Sequence, residues 1–584
     1  MRATHPILQN SDRTQIEKGM EMQSKLITLL VLAIVPLFAA SALAQTVVSG
    51  NVTTDTTWSG TVVLQQPIFV NNGATLTIQP GTIVRGQPRT AAVQAGVVAG
   101  SPGALIVTQS GTIIADGTAG NPIIMTTAAV DNDNDGVPDD DDANNFADAW
   151  VSGDTFYDDT PTSAPLAPLN TAGGANVGLW GGIVVLGNAP TNLTDPCGTG
   201  FGTCTVEGLT VPGFPEVDAT YGGVSVADSS GSLSYLSVRH AGDEIGNGNE
   251  LNGVTMAGVG NGTSFHHIEV YCNFDDGIEW FGGTVNGDHL QVIFAGDDQF
   301  DADQGYTGTN QFLVGVLPFF NEGDGTNFGS SSGDKGCECD GDDWNETTPA
   351  GLNVSLDLND RPVPFSNADF YNFTIAGSNQ NTTYFGHSNN NDGFEMRNGF
   401  AGLAANGIIY NTLGRQGIDI AGGGATGFTA GDNADAGLLA VAAVTCDDVS
   451  AIPAAPSDEA TALANGGSNI GCDGVNDAGF GLLAEDTSFD PTGLAGKLDA
   501  SLDVVDFRPS SSNSTMTGGV APPTPPAVDA TATYRGAFEA SVAKWTDDWT
   551  VLSIAGMTPV PEPGTLQLLA AGVLGLVGLR RLRP

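Results

Sequence analysis

Asp275-Asp276-Gly277-Ile278-Glu279 recurs 22 residues later as Asp297-Asp298-Gln299-Phe300-Asp301, and Asn391-Asp392-Gly393-Phe394-Glu395 recurs 24 residues later as Arg415-Gln416-Gly417-Ile418-Asp419. A short β unit cannot bury an apolar face alone, but copies stacked at about 20–30 residues can, which is the logic of a β-solenoid. These offsets put Ile278 on Phe300, and Phe394 on Ile418, in a coil interior. Strand side chains alternate, so the following residue turns outward. Glu279 and Asp301 are then expected to form one acidic column, and Glu395 and Asp419 another. Further out, Gly73 to Val84 aligned on Gly103 to Ile114 gives six identities at an offset of 30. Other strand candidates lie at 182–186, 233–238, 263–270, 290–294 and 406–410. The stretches 126–175, 320–360 and 425–500 read as loop insertions between coils, and helical periodicity is absent outside the two ends. The expected fold is all-β, a right-handed parallel β-helix with long loop insertions. The alternative, a β-sandwich, is disfavoured by the 22-residue offset.

The chain has 584 residues with 80 Gly, and 66 acidic side chains stand against 18 Lys plus Arg, a formal charge of -48. Glycine suits a fold in which each coil needs several turns, many at positive φ. The charge excludes nucleic acid as a partner, because phosphate tracking needs clustered Lys and Arg.

Both ends read as addresses. Lys25 precedes the apolar run Leu26 to Phe38 and the small-residue ending Ala42-Leu43-Ala44, the pattern of a secretory signal handled by the Sec export machinery. Cleavage is expected before Gln45, and translation is expected to start at Met1, Met20 or Met22. At the other end stand Pro561-Glu562-Pro563, the apolar stretch Gly564 to Leu579, and Arg580, Arg581 and Arg583. This order resembles the PEP-CTERM sorting signal of Gram-negative bacteria. The resemblance implies reading by an exosortase, transient or permanent membrane anchoring through 564–579, and passage to the cell surface or the extracellular space. Residues 1–44 are thus the expected signal, 45–558 the body and 559–584 the sorting tail. Without residues 1–44 and 561–584 the chain keeps 11 basic and 62 acidic side chains.

Three stretches of the body, Gly178-Leu179-Trp180-Gly181-Gly182-Ile183-Val184-Val185-Leu186-Gly187, Val238-Arg239-His240-Ala241-Gly242 and Asp275 to Gly283, resemble a family of secreted bacterial β-helix proteins of unassigned activity. Gly536-Ala537-Phe538, with Trp545-Thr546 and Trp549-Thr550, resembles that family's closing segment. The resemblance supplies a fold and an extracellular destination, and no catalytic residues.

The strongest chemical motif runs from Asp131 to Asp142. Asp131, Asp133, Asp135, Asp139 and Asp142, with Gly136 at the sharp turn and the Val137 carbonyl, match the spacing of a calcium loop. A solvated acidic turn is the plain alternative. Asp340-Gly341-Asp342-Asp343 is a weaker cluster. The acidic columns admit two uses: a solvated or binding face, or a carbohydrate-active site. In the second, Glu279, Asp301, Glu395 and Asp419 would act as paired glycosidase carboxylates, or calcium with Arg239, Arg397 or Arg415 would support a polysaccharide lyase. His266 and His267, adjacent on a strand, are expected on opposite faces and so not to share a metal; His240 and His289 are expected to pack. Among seven cysteines, Cys197/Cys204 and Cys446/Cys472 are local disulfide candidates, and Cys272 could join Cys337 or Cys339. The sequence therefore points to an exported, calcium-stabilised surface or matrix protein associated with exopolysaccharide, the alternative being a lyase or glycoside hydrolase.

Overall fold

The computed structural model describes residues 45–89, 101–140, 147–168, 170, 172, 174–192, 204–206, 219–246, 249–318, 335–341, 366–377, 392–410, 417–420, 430–447, 457–467, 469, 482–484, 506–509, 519–523, 529–539 and 542–555. The expected signal (Ala42 and Ala44, with Gln45 its described neighbour), the tail with Pro561, Glu562, Pro563, Arg580, Arg581 and Arg583, and Asp142, Cys197, Arg415 and Cys472 lie outside the described residues.

Ile183–Leu186, Val254–Ala257, Ile278–Phe281 and Phe300–Asp303 are short β-branched and aromatic runs that cannot close a hydrogen-bond ladder alone. They pair in parallel, one above the next, within a nine-stranded sheet. A 16-stranded sheet supplies the remaining wall. Every pairing in these two ladders is parallel, as in a β-helix and unlike the antiparallel sheets of a sandwich. Ile278 stacks on Phe300 and Phe394 on Ile418, as the offsets imply. Ile68, Leu105, Ile183, Val254, Ile278 and Phe300 form one continuous inward row, all fully buried.

Long strands of the larger sheet turn a corner without glycine. Gly231–Arg239, Ser264–Asn273, Gly287–Ala295, Thr309–Val316 and Asp369–Ala376 each bend at a non-glycine residue in the left-handed region: Tyr235, His267, His289, Phe312 and Asn372, at φ of 46°, 55°, 56°, 61° and 52°. Before the corner, Gly231–Arg239 pairs with Thr112–Asp116; after it, with Ile123–Thr127. Asn406 and Ala443 continue this column and His240, Cys272 and Phe294 make a second, all at positive φ. Each such residue costs about 1–2 kcal/mol, offset here by ring stacking and amide hydrogen bonds. Asn406 is accordingly a corner, and the strand expected from it begins at Ile408.

Three expectations need correction. The 30-residue alignment is not the stacking register: Thr75 lies on Thr112 and Ile68 on Leu105, both 37 apart. Thr75–Ile78 and Ala104–Val107 occupy different sheets, and Ile83–Gly86 and Thr112–Asp116 share one without pairing, so the likeness reports shared turn chemistry and not adjacency. The stretch 320–360 is not all insertion, because Lys335–Asp340 is a coil strand between Phe300–Asp303 and Asp392–Arg397. The stretch 425–500 contributes coil strands Leu439–Ala442 and Thr445–Asp447, and also helices Ala430–Asp435 and Ser457–Gly466. The latter, rich in Ala with little amphipathy, is too short to register as a period.

The C-terminal segment returns across the outside of the coils. Gln311 Nε2 donates to the Asp529 carbonyl at 3.2 Å while Asp529 N donates to Gln311 Oε1 at 2.7 Å. The corner amide of Asn372 donates to the Tyr534 carbonyl at 2.6 Å, and Val551 N donates to Glu269 Oε1 at 2.8 Å. Beneath it, outward-facing Tyr271, Ile293, Val314 and Val316 are buried with Phe507, Phe538, Val551 and Leu552.

Candidate functional site

One outward column of the nine-stranded sheet changes character along the solenoid. In register it reads Phe69, Ile106, Val184, Thr255, Glu279, Asp301, Glu338, Glu395 and Asp419. Its first three members are buried against Val206, Ala219 and Tyr221, so apolar side chains are tolerated there. From Glu279 onward the column is acidic. The two expected carboxylate pairs thus belong to one column, joined by Glu338, which lies within the stretch 320–360 expected as an insertion. The alternation in Lys335-Gly336-Cys337-Glu338-Cys339-Asp340 was the available signal, with both Cys side chains inward and fully buried.

Around the column the carboxylates converge. Asp276, Glu279 and Asp301 place ligand oxygens within 4.8 Å of one another; so do Asp298, Asp301 and Glu338, and so do Asp275, Asp276 and Asp297. Asp298 is 1% exposed and its Oδ1 has no hydrogen-bond partner. Asp276 Oδ1 accepts from Asp298 N at 2.9 Å, and Asn252 donates to Glu279. Burial first, and then neighbouring carboxylates, hold the Asp276 and Asp301 carboxyls well above the usual carboxylate range. Burial does the same to Asp298 against the pull of Lys335.

Two cations border this groove. Lys335 Nζ lies 2.7 Å from Glu338 Oε1, 3.3 Å from Glu395 Oε2 and 3.9 Å from Asp298 Oδ2. Arg397 reaches Glu338 Oε2 at 2.9 Å and Asp340 Oδ1 at 2.5 Å. For both, burial favours the neutral form, but the facing carboxylates outweigh it and strengthen the charged form. Of the arginines expected as clamp or base, Arg397 is therefore present. Arg239 is not: it is fully buried, with Nε donating to Ser237 Oγ at 2.7 Å and Nη1 to the Pro161 carbonyl at 2.7 Å.

The calcium-type loop closes in part. Asp131, Asp133 and Asp139 bring ligand oxygens within 4.8 Å. Asp131 accepts from Asp135 N and Gly136 N at 3.2 Å each, with Gly136 at φ 83°. The Asp135 carboxylate instead caps Val137 N at 2.9 Å, so Asp135 serves the turn here. The insertion carrying the loop is pinned to the coils by Gln87, which exchanges two hydrogen bonds with the Trp150 backbone at 2.8 and 2.9 Å.

The histidines depart from expectation. His266 Nδ1 and His267 Nδ1 are 3.0 Å apart, on the same side of the sheet. Alternation fails because His267 occupies the left-handed corner. His267 is pushed down to about 3 by burial, then by His289 and His266. His289 stacks on His267 at 4.3 Å. His240 packs as expected, fully buried with Nδ1 donating to the Asn176 carbonyl at 2.6 Å. Cys272 is free beneath the C-terminal segment and does not join Cys337 or Cys339, which are free inside the coil with Sγ atoms 2.9 Å apart. Cys446 is disulfide-bonded; Cys204 lies on a two-residue strand pairing with Thr220–Tyr221.

Comparison with known proteins agrees with this architecture. A family model described as a pectate-lyase like beta helix domain matches residues 50–137 and 167–476. The PEP-CTERM protein-sorting motif matches residues 559–582 and marks the chain for exosortase-dependent export to the cell surface or extracellular space. A solved structure described as pectate lyase Pel9A is similar at 12% identity, covering 81% of this chain and 89% of that one with a TM-score of 0.28. No curated protein matches the chain. Among the described residues no helix is long and apolar enough to cross a membrane.

Proposed function

The chain belongs to the pectate-lyase-like β-helix domain family, and from that footing we propose that it is an exported surface or matrix protein whose acidic groove takes up calcium and, through it, the carboxylates of an acidic exopolysaccharide. The carrying observation is the convergence of Asp276, Glu279, Asp298, Asp301 and Glu338, with the buried Asp298 Oδ1 unpartnered. Oxygens within 4.8 Å of one another can share one ion, since the calcium–oxygen distance is about 2.3–2.6 Å. The same spacing is too short for the water that an inverting glycosidase holds between carboxyls about 6.5–9.5 Å apart. Lys335 and Arg397 neutralise only part of the groove, so a hard divalent cation relieves the remaining repulsion. A polymer carboxylate would complete its coordination shell. The Asp131 loop is proposed as a second, structural calcium site held by Asp131, Asp133 and Asp139.

A second reading, a polysaccharide lyase, is favoured by one observation: Lys335 borders the cluster. Its neutral amine would take the proton beside the sugar carboxylate as the carbon–oxygen bond to the next sugar breaks, the departing oxygen taking a proton from water, which leaves an unsaturated end. The carboxylates around Lys335 hold it protonated, which opposes that role.

Binding of the full exported chain to acidic and neutral polysaccharides, with calcium and with a chelator, tests the reading. Acidic chains are expected to bind only with calcium, and Asp298→Asn with Asp301→Asn weakens binding about tenfold or more. Binding that survives chelation overturns it. Ultraviolet-absorbing unsaturated ends, lost in Lys335→Ala, would instead establish the lyase.

A further inference from the structure

The corner of the larger sheet carries a second constellation that the acidic groove does not use. His266, His267 and Asp288 each present a ligand atom, all within 4.8 Å of one another. His267 sits at the left-handed bend of Ser264–Asn273, and Asp288 is one residue before the equivalent bend of the next coil at His289. In register, His266 lies on Asp288. We propose that His266, His267 and Asp288 form a binding site for a late first-row divalent metal of the zinc and copper class, distinct from the oxygen-only groove.

The donor set selects the metal. Imidazole nitrogen suits Zn, Cu and Ni, whereas the groove offers carboxylates suited to calcium. Two nitrogens at about 2.05 Å from a tetrahedral zinc stand about 3.3 Å apart; the two Nδ1 atoms here are 3.0 Å apart, so a few tenths of an ångström of opening admits the ion. In the metal-free protein one Nδ1 donates its hydrogen to the other. Coordination uses both lone pairs, so that hydrogen moves to the far Nε2 with no net proton release.

The surroundings hold these donors in place. His289 Nδ1 donates to Asp288 Oδ1 at 2.5 Å, orienting the carboxylate in the manner of outer-shell partners at metal sites. The His289 ring stacks on His267 at 4.3 Å and 16°, and the Tyr235 ring also stacks on His267, at 4.3 Å. Trp545 of the C-terminal segment lies 6.3 Å from the His267 ring and 5.2 Å from that of His289, and Trp549 lies 6.4 Å from His267. Those indoles narrow solvent access and give the site an optical reporter.

The full exported chain, freed of metal, is titrated with Zn²⁺ by calorimetry and with Cu²⁺ by tryptophan fluorescence. Zn²⁺ is expected to bind stoichiometrically, and Cu²⁺ to quench Trp545 and Trp549. His266→Gln and Asp288→Asn each weaken Zn²⁺ about tenfold or more with metal-free melting unchanged, while Asp298→Asn leaves Zn²⁺ affinity intact. Paramagnetic resonance of the Cu²⁺ form shows coupling to two imidazole nitrogens, reduced to one in His266→Gln. Absence of stoichiometric Zn²⁺ binding, Zn²⁺ affinity unchanged in both corner variants, or Zn²⁺ binding lost in Asp298→Asn overturns the proposal.

Discussion

At the residue scale, the coil leaves single atoms little room. A Cβ on Gly277 would stand 2.2 Å from Val292 Cγ1 and 2.7 Å from the Gln299 carbonyl, where the two sheets approach each other. Gly277→Ala is expected to destabilise the protein by about 1–3 kcal/mol, read as a lower urea midpoint. His240 gives a second residue-level test. Burial pushes it down to about 4 from its ordinary 6.5, so the unfolded chain takes up its proton more readily than the folded one. Its contribution is full above the ordinary value and is lost as the pH falls through it toward 4, about 2 kcal/mol between about pH 7 and pH 5. Replacing His240 by Gln should remove that part of the slope in urea titrations; an unchanged slope refutes the assignment. The buried carboxyls work with the opposite sign. With Asp298 raised, the folded groove binds protons more readily than the unfolded chain, and cation-free stability falls as the pH rises toward the raised value. Asp298→Asn should therefore raise the melting temperature without cation and diminish the rise that calcium produces.

At the element scale, what could be read from sequence was whatever depends on alternation between neighbours. Ile278 over Phe300 and Glu279 over Asp301 follow from a 22-residue offset and a two-residue period. Alternation fails at a left-handed residue, so His266 and His267, which alternation would place on opposite faces, are found together. Offsets also fail where a coil carries a long connection: Asp301 meets Glu338 across 37 residues and Glu338 meets Glu395 across 57. No local pattern reports those distances, so the middle of the acidic column was hidden although both its ends were visible. The C-terminal segment is equally hidden, since its partners lie between 90 and 282 residues away in sequence. Trp549 is fully buried there. Trp549→Ala is expected to cost about 3–5 kcal/mol and to expose the segment to limited proteolysis while the β-sheet circular dichroism signal persists.

At the scale of the whole molecule, a chain of charge -48 holds a groove and a loop in which carboxylates face one another. Chelation is expected to lower the melting temperature, and calcium to restore it in the wild type. In Asp131→Ala, the restored portion should shrink as the insertion pinned at Gln87 and Trp150 loosens; melting that ignores chelator throughout would remove both calcium sites from consideration. In the host, loss of the exosortase should leave the chain unprocessed, as followed by the mass of its C-terminal peptide.

A stack of coils with only nearest-neighbour contacts would fray one repeat at a time from its ends. Here the C-terminal segment grips Glu269, Gln311, Asn372 and Asn406 at once, spanning several successive repeats. Opening any one of those repeats strains the same belt, so their melting is coupled and the protein should unfold with a sharper transition than an unbelted solenoid. A one-dimensional fold thereby gains the cooperativity of a globular one.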